Sequence, residues 1–300
     1  MIQAPVGVDQ LGAGNSVANH GEGEADMRPK YLMILGSLLL MLCAGPALAG
    51  QDQPAPGPGM VPAGKWQMGV SGTWQAAERF QDTVEFSSED GSSGSEASQS
   101  VKLRDDRMYL ASLSYGLHRR LTLTARAGMA EGGTLAETLS NGQWEAKLKP
   151  VFVWGLGARG LLWENPSGLG LTAGVSYLRY DDRGIDSWHA TDGWTTDQGN
   201  VSVDGQVDYW RLEANALAHW RLGRFLPFLG LGYAYSELKD QDTWHRPSGI
   251  VSTYDFSTKN QDRWGLLGGV QAELWRGLSL GLNFAYFNRE ELGLSLNWDF

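Results

Sequence analysis

From residue 65 onward, apolar residues recur at every second position over most of the chain, the period of a strand with one apolar and one polar face. In KWQMGVSGTWQ, Trp66, Met68, Val70 and Trp74 share one face, with Gln67, Ser71, Thr73 and Gln75 on the other. The alternation returns with Tyr109 to Tyr115 and Leu121 to Met129 on odd positions, Trp144 to Ala158 on even ones, and Leu169 to Tyr177 on odd ones. It continues through Trp210 to Trp220 (even), Leu229 to Tyr235 (odd), Trp264 to Leu274, Leu278 to Tyr286 and Leu292 to Phe300 (all even). The pattern predicts ten strands, with eight or twelve as the counts if RFQDTVEF in the first long loop is read differently. No run after residue 65 approaches the ~18 apolar residues of a membrane helix.

The connections alternate in length. Short turns are predicted at 116–121, 163–169, 221–225 and 274–278, and long polar loops at 76–103, 131–143, 181–206 and 237–261. Barrels of outer membranes have this asymmetry, with short periplasmic turns and long external loops. Trp210 and Trp220 stand ten residues apart on one apolar face. At about 3.3 Å per residue and a tilt near 45° they are roughly 23 Å apart along a membrane normal, close to the apolar band between two aromatic girdles. Trp66, Trp74, Trp210, Trp220, Trp298 and Phe300 are the girdle candidates. The fold class read from this pattern is all-β, a transmembrane antiparallel up-and-down β-barrel over residues 65–300.

Composition supports that class: thirteen tryptophans, ten tyrosines and forty glycines are unusual for a soluble enzyme. The start of the chain is of another kind. Met27-Arg28-Pro29-Lys30, the apolar run Tyr31–Leu42 and the small-residue site Ala47-Leu48-Ala49 order themselves as a signal peptide over 27–49. Residues 1–26 read as a misassigned start, GEGEAD reflecting purine-rich codons before Met27, or as a genuine extension. Residues 50–64, rich in Pro and Gly, read as a flexible periplasmic segment. Cleavage after Ala49 removes Cys43, the only cysteine, so stability after export must come from burial or closure.

The chain closes on LGLSLNWDF, 292–300, with Phe300 last. This strand resembles the C-terminal strand of bacterial outer-membrane β-barrel proteins, and the YGLHRRLTL-like hairpins resemble theirs. The resemblance names a class, small and porin-like, and no particular member. It implies the outer membrane of a Gram-negative bacterium, contact with its lipids and lipopolysaccharide, and recognition of 292–300 by the barrel assembly machinery.

Within a barrel, the polar positions between the apolar ones point inward. Arg126, Lys147, Lys149, Arg159, Arg211, Glu213, Asn215, Gln271 and Glu273 are the lumen-lining candidates, either as a packed salt-bridge plug or as the wall of a water-filled pore. The four long loops hold eighteen Asp and Glu against six Lys and Arg, so an acidic rim disfavours nucleic acid. Two of them carry a Trp-His dipeptide, and Trp188, His189, Trp194, Trp244 and His245 are the loop-binding candidates. His189 or His245 with Asp186, Asp192, Asp240 or Asp242 could form a metal or acid–base site, solvated loop residues being the alternative.

The omptin proteases are also ten-stranded, and the chain is similar to them in strand number only, so no catalytic residue carries over. No GxSxG or HExxH string is present, and no metal or cofactor is called for. The functional expectation is a narrow porin-like channel or transport protein for small solutes, not an enzyme, with Arg126, Arg211, Glu213 and Glu273 setting conductance. The alternatives are a surface-displayed adhesin or ligand-binding barrel acting through acidic, Trp-containing loops, and an omptin-like surface hydrolase.

Overall fold

Strands that must satisfy every backbone N–H and C=O without water have one arrangement open to them, a sheet closed on itself. The computed structural model describes residues 58–300, apart from 82, 89–92, 98–99, 140–141, 191–201, 246–250, 276 and 287–288. The expected signal peptide, the start of the chain and Trp194 lie outside the described residues. Fourteen antiparallel strands form one sheet among those described.

Ten of them make a closed ring at the end of the short turns: β1 (Trp66–Gln81), β4 (Ser100–His118), β5 (Leu121–Leu139), β7 (Val151–Glu164), β8 (Leu169–Ala190), β9 (Ser202–Trp220), β10 (Phe225–His245), β12 (Trp264–Trp275), β13 (Leu278–Tyr286) and β14 (Arg289–Asp299). The last strand pairs with the first, and Trp66 and Phe300 exchange both backbone bonds, at 3.2 and 2.9 Å. The terminal aromatic is therefore held at a seam rather than fraying.

Toward the loops the ring narrows. The β13–β14 hairpin stops at the level of Tyr286 and Arg289, and β1 pairs instead with β11 (Val251–Asn260) through Phe80 and Asn260. β6 (Gly142–Leu148) replaces β7 between β5 and β8. The upper ring is thus β1, β4, β5, β6, β8, β9, β10 and β11, eight strands, with β2 (Thr83–Ser88) and β3 (Ser93–Ala97) added to the edge of β11. Eight strands enclose a space that side chains fill, whereas ten leave more.

The outer wall of the ten-strand ring is apolar: Val70 and Leu231 are each 59% exposed, with Leu156, Leu229 and Leu294 also bare. Two aromatic bands flank it. Toward the loops, rings touch from strand to strand: Trp154–Tyr177 at 5.5 Å, Tyr177–Trp210 at 6.2 Å, Trp210–Tyr235 at 5.2 Å and Tyr233–Trp264 at 5.2 Å. At the turn end stand Trp66 against Tyr115, Trp298 against Phe300, and the exposed Trp220. Trp74 also faces outward, toward the loop-side band.

Between the rings the strands share a level of irregular backbone. Register slips at Ala76 on β1 against β14 and at Asp182 on β8 against β9; Asp105 on β4 and Asp182 take φ of 54° and 53°, and Gly132 and Gly133 on β5 take 68° and 81°. On the adjoining strand, Lys149-Pro150 interrupts pairing between β6 and β7, where proline has no N–H to give. A slip of one residue exchanges inner and outer faces.

This reversal corrects the sequence reading of 144–158 as one strand with even residues outward. Above the break the even residues of β6 turn inward, so Trp144, Ala146 and Leu148 join the interior and Trp144 does not face lipid. Lys147 and Lys149, expected in the lumen, are exposed on the outer wall.

The interior is layered. Above the irregular level Phe80, Val101, Leu103, Leu135, Val207 and Leu238 form an apolar core at 1% exposure or less. Below it lies a polar belt, and at the turn end the described part of the 50–64 segment docks inside the mouth, with Arg126 and Glu273 still reached by solvent. The Val61 N–H donates to Thr122 Oγ1 (2.9 Å), Arg159 Nη1 donates to the Pro58 carbonyl (2.9 Å), and Met60 and Val61 are buried. Residues 58–64 are therefore docked, against the expectation of a flexible segment. Gly116 makes room for them, because a Cβ there would overlap the Pro62 carbonyl.

Gly116→Val is expected to expel this segment, exposing Met60 and Val61 at about 2 kcal/mol each. Hydrogen exchange at the Val61 amide checks it: the variant should lose the protection that the Thr122 bond gives.

Candidate functional site

Two polar constellations occupy the interior, one in the belt and one near the loop end. In the belt, strand alternation aims Arg126, Arg159, Arg211, Glu213 and Asn215 inward, as expected, with Gln271 and Glu273 below them. Arg211 pairs with Glu291 at 3.4 Å. Arg289 bridges Glu213 (2.7 Å) and Glu291 (3.1 Å). Glu78 accepts from Ser236 Oγ (2.6 Å), Tyr209 Oη (2.9 Å) and Gln75 Nε2 (3.2 Å), so these three carboxylates in a low-dielectric wall have partners.

Arg289, Glu291 and Glu78 are absent from the sequence-derived candidates. The first two were within reach: continuing the alternation backward from Leu292 puts Glu291 and Arg289 on the inner face. Glu78 was not, because the slip at Ala76 reverses its face.

Arg183 ties the irregular level together. It is fully buried and pairs with the equally buried Asp106 of β4 at 3.0 Å. It also donates to the carbonyls of Gly132 (2.7 Å) and Lys149 (2.9 Å), satisfying backbone groups that the broken ladder leaves open. One guanidinium thus joins β8 to β4, β5 and the β6–β7 junction.

Near the loop end the two Trp-His dipeptides meet the same fate. Alternation turns both tryptophans in and both histidines out. Trp188 and Trp244 lie 6.0 Å apart, Trp144 stands edge-on to Trp244 at 6.2 Å, and Tyr254 at 5.8 Å. His189 and His245 face the outer wall, His245 lying 3.8 Å from Asp204. The expected union of histidine with Asp240 or Asp242 does not form, since those aspartates point inward on β10. Asp186 is exposed on the wall, and Asp192 lies outside the described residues.

Asp240 and Asp242 lie beneath the aromatic cluster, 2% and 3% exposed. Gly205 leaves space for the second, since a Cβ there would collide with its carboxylate. Burial pushes the Asp240 carboxyl well above the ordinary carboxylate range, and the charges of Asp242, Glu137 and Asp255 push the same way. Burial also raises Asp242, from 3.8 to about 6, against the opposing pull of Asp240 and the Trp244 and Trp188 indoles.

A carboxyl raised in the folded state costs nothing while both states are protonated, and its penalty grows as pH rises through the folded pKa. For Asp242 the window runs from about pH 4 to about pH 6, and the penalty above it is about 3 kcal/mol. The extension is expected to be tighter at pH 5 than at pH 7.5. Hydrogen exchange over 238–245, corrected for intrinsic rates, should show this, and Asp242→Asn should abolish most of the difference.

No family model and no curated protein sequence matches this chain. Similar solved structures include the outer membrane protein OprG from Pseudomonas aeruginosa, at 12% identity over 82% of this chain and 99% of that one, TM-score 0.46. The outer membrane protease OmpT from Escherichia coli is 14% identical over 78% and 97%, TM-score 0.45. The translocator domain of the autotransporter NalP from Neisseria meningitidis is 12% identical over 92% and 97%, TM-score 0.42. These likenesses carry no residue role over to this chain. Its own wall, closed, apolar outside between aromatic bands and polar within, makes it a membrane-spanning antiparallel β-barrel.

Proposed function

We propose that this chain is a Gram-negative outer-membrane barrel that works at the cell surface, displaying a ligand-binding extension rather than holding open a pore. The observation that carries this reading is the eight-strand upper ring, packed across by Phe80, Val101, Leu103, Leu135, Val207 and Leu238 with 1% exposure or less. Ions and polar solutes do not cross such a core at the rates of a porin. Strands of twenty-one and twenty-two residues, β10 and β8, outrun the ~10 that a bilayer requires and raise the extension above it.

At its end Trp144, Trp244 and Tyr254 remain partly exposed over the buried aspartates. Aromatic faces above carboxylates suit a ligand with a sugar ring or a cationic group. The reading is non-enzymatic: the two histidines lie on the opposite face of the sheet from Asp240 and Asp242, so no acid–base pair is assembled from them.

A narrow channel for small solutes is the second reading. It is favoured by the lower lumen, where Arg126 and Glu273 point inward and are solvent-exposed. Planar-bilayer recording separates the two. Protein whose heat-modifiable gel mobility shows a folded barrel is expected to give no unitary currents; stable currents would establish the channel reading instead.

A further inference from the structure

The belt does not balance its charge from top to bottom. Four guanidinium groups, Arg126, Arg159, Arg211 and Arg289, face three carboxylates, Glu78, Glu213 and Glu291, while Glu273 and Asp299 stand below them toward the turn end. Every carboxylate is engaged in the upper part. Glu213 and Glu291 bond Arg289 and Arg211, and Glu78 takes three neutral donors.

The lower two arginines have no carboxylate within ion-pair distance among the described residues. Arg159 bonds only neutral groups, the Pro58 carbonyl at 2.9 Å and Asn215 Oδ1 at 3.4 Å. Arg126 makes no hydrogen bond among the described residues and is reached by solvent although it points inward. Glu213 and Glu291 attract it from above, at a distance.

The wall around these two groups is built with glycines. Register sets Gly155 opposite Arg126, Gly157 opposite Thr124 and Gly174 opposite Arg159. A Cβ at Gly174 would stand 3.2 Å from both Arg159 Nε and Asn215 Oδ1. Glycines in strand interiors cost stability and are kept where something must approach the backbone. A Cβ at Gly155 would strike the Tyr177 carbonyl and one at Gly174 would press on Arg159, so the glycines let the backbone and Arg159 pack closely, while Arg126 keeps its planar fork, the shape that matches an oxyanion, in the solvent-reached lumen.

We propose that the lower lumen binds a small free oxyanion, phosphate or carboxylate, between Arg126 and Arg159. The ten-strand wall shuts out a lipid headgroup and the apolar core shuts the loop end, so the ion enters at the turn end, past residues 58–64. This site is independent of the surface-binding role: it can fail while that role stands, and the reverse.

The test is calorimetric titration of inorganic phosphate into the full protein purified from membranes in detergent, with heat-modifiable mobility as the folding control. Saturable binding is expected, about tenfold weaker in Arg126→Gln and in Arg159→Gln, and lost in the double variant. Arg126→Lys keeps the charge without the fork and should bind within several-fold of the unaltered protein, which leaves the test decisive if a glutamine variant does not fold. Absence of saturable phosphate binding by the unaltered protein overturns the proposal, as does unchanged affinity in the double variant. Binding that Arg126→Lys abolishes while mobility stays normal overturns the charge-based site as well.

Discussion

Closure of the hydrogen-bond ladder is the constraint from which the rest of the structure follows. In hydrocarbon an unpaired strand edge costs several kcal/mol per group, so β14 must meet β1 and the ring must be complete at every level of the membrane. Ten strands satisfy this between the aromatic bands. Above them, where water can solvate an edge, the β13–β14 hairpin ends and β1 closes on β11 through Phe80 and Asn260. The change from ten strands to eight turns a lumen into a core, because the narrower ring leaves no more room than its own side chains occupy.

A ring cannot change its strand count without local defects, and those defects are gathered at one level. Ala76, Asp105, Gly132–Gly133, Lys149-Pro150 and Asp182 lie on neighbouring strands, and each interrupts the regular alternation. The backbone groups they release are buried, and Arg183 collects two of them while pairing Asp106. Such a buried pair adds little net stability over an apolar substitute, but removing one partner leaves an uncompensated charge, at about 3–5 kcal/mol. Arg183 therefore matters more for where the defects sit than for overall stability.

The layering that results separates two kinds of chemistry. The extension places aromatic rings over carboxyls held partly protonated by burial, in a region that water surrounds. The lower lumen places arginines inside a wall, where water reaches Arg126 but the bilayer does not. Neither layer communicates with the other through an open path among the described residues, since the apolar core lies between them.

The alternation of apolar and polar residues by itself determined the ten membrane strands, their short and long connections, their outward faces and most of the belt, because side-chain direction in a strand is a purely local property. It likewise separated each Trp from the His that follows, although the dipeptides invited a joint reading. Only the tertiary structure decided the faces beyond the irregular level. A slip at Ala76 reverses the later side chains of β1, and on β8 the slip at Asp182 reverses only Arg183 to Ile185 before a second one at Asp186 restores the parity. Lys147, Lys149 and Trp144 went to the opposite faces because their own strand breaks at Lys149-Pro150. The docking of 58–64 against Gly116 and Thr122, and the narrowing to eight strands, depend on contacts between distant segments, which no short-range period encodes.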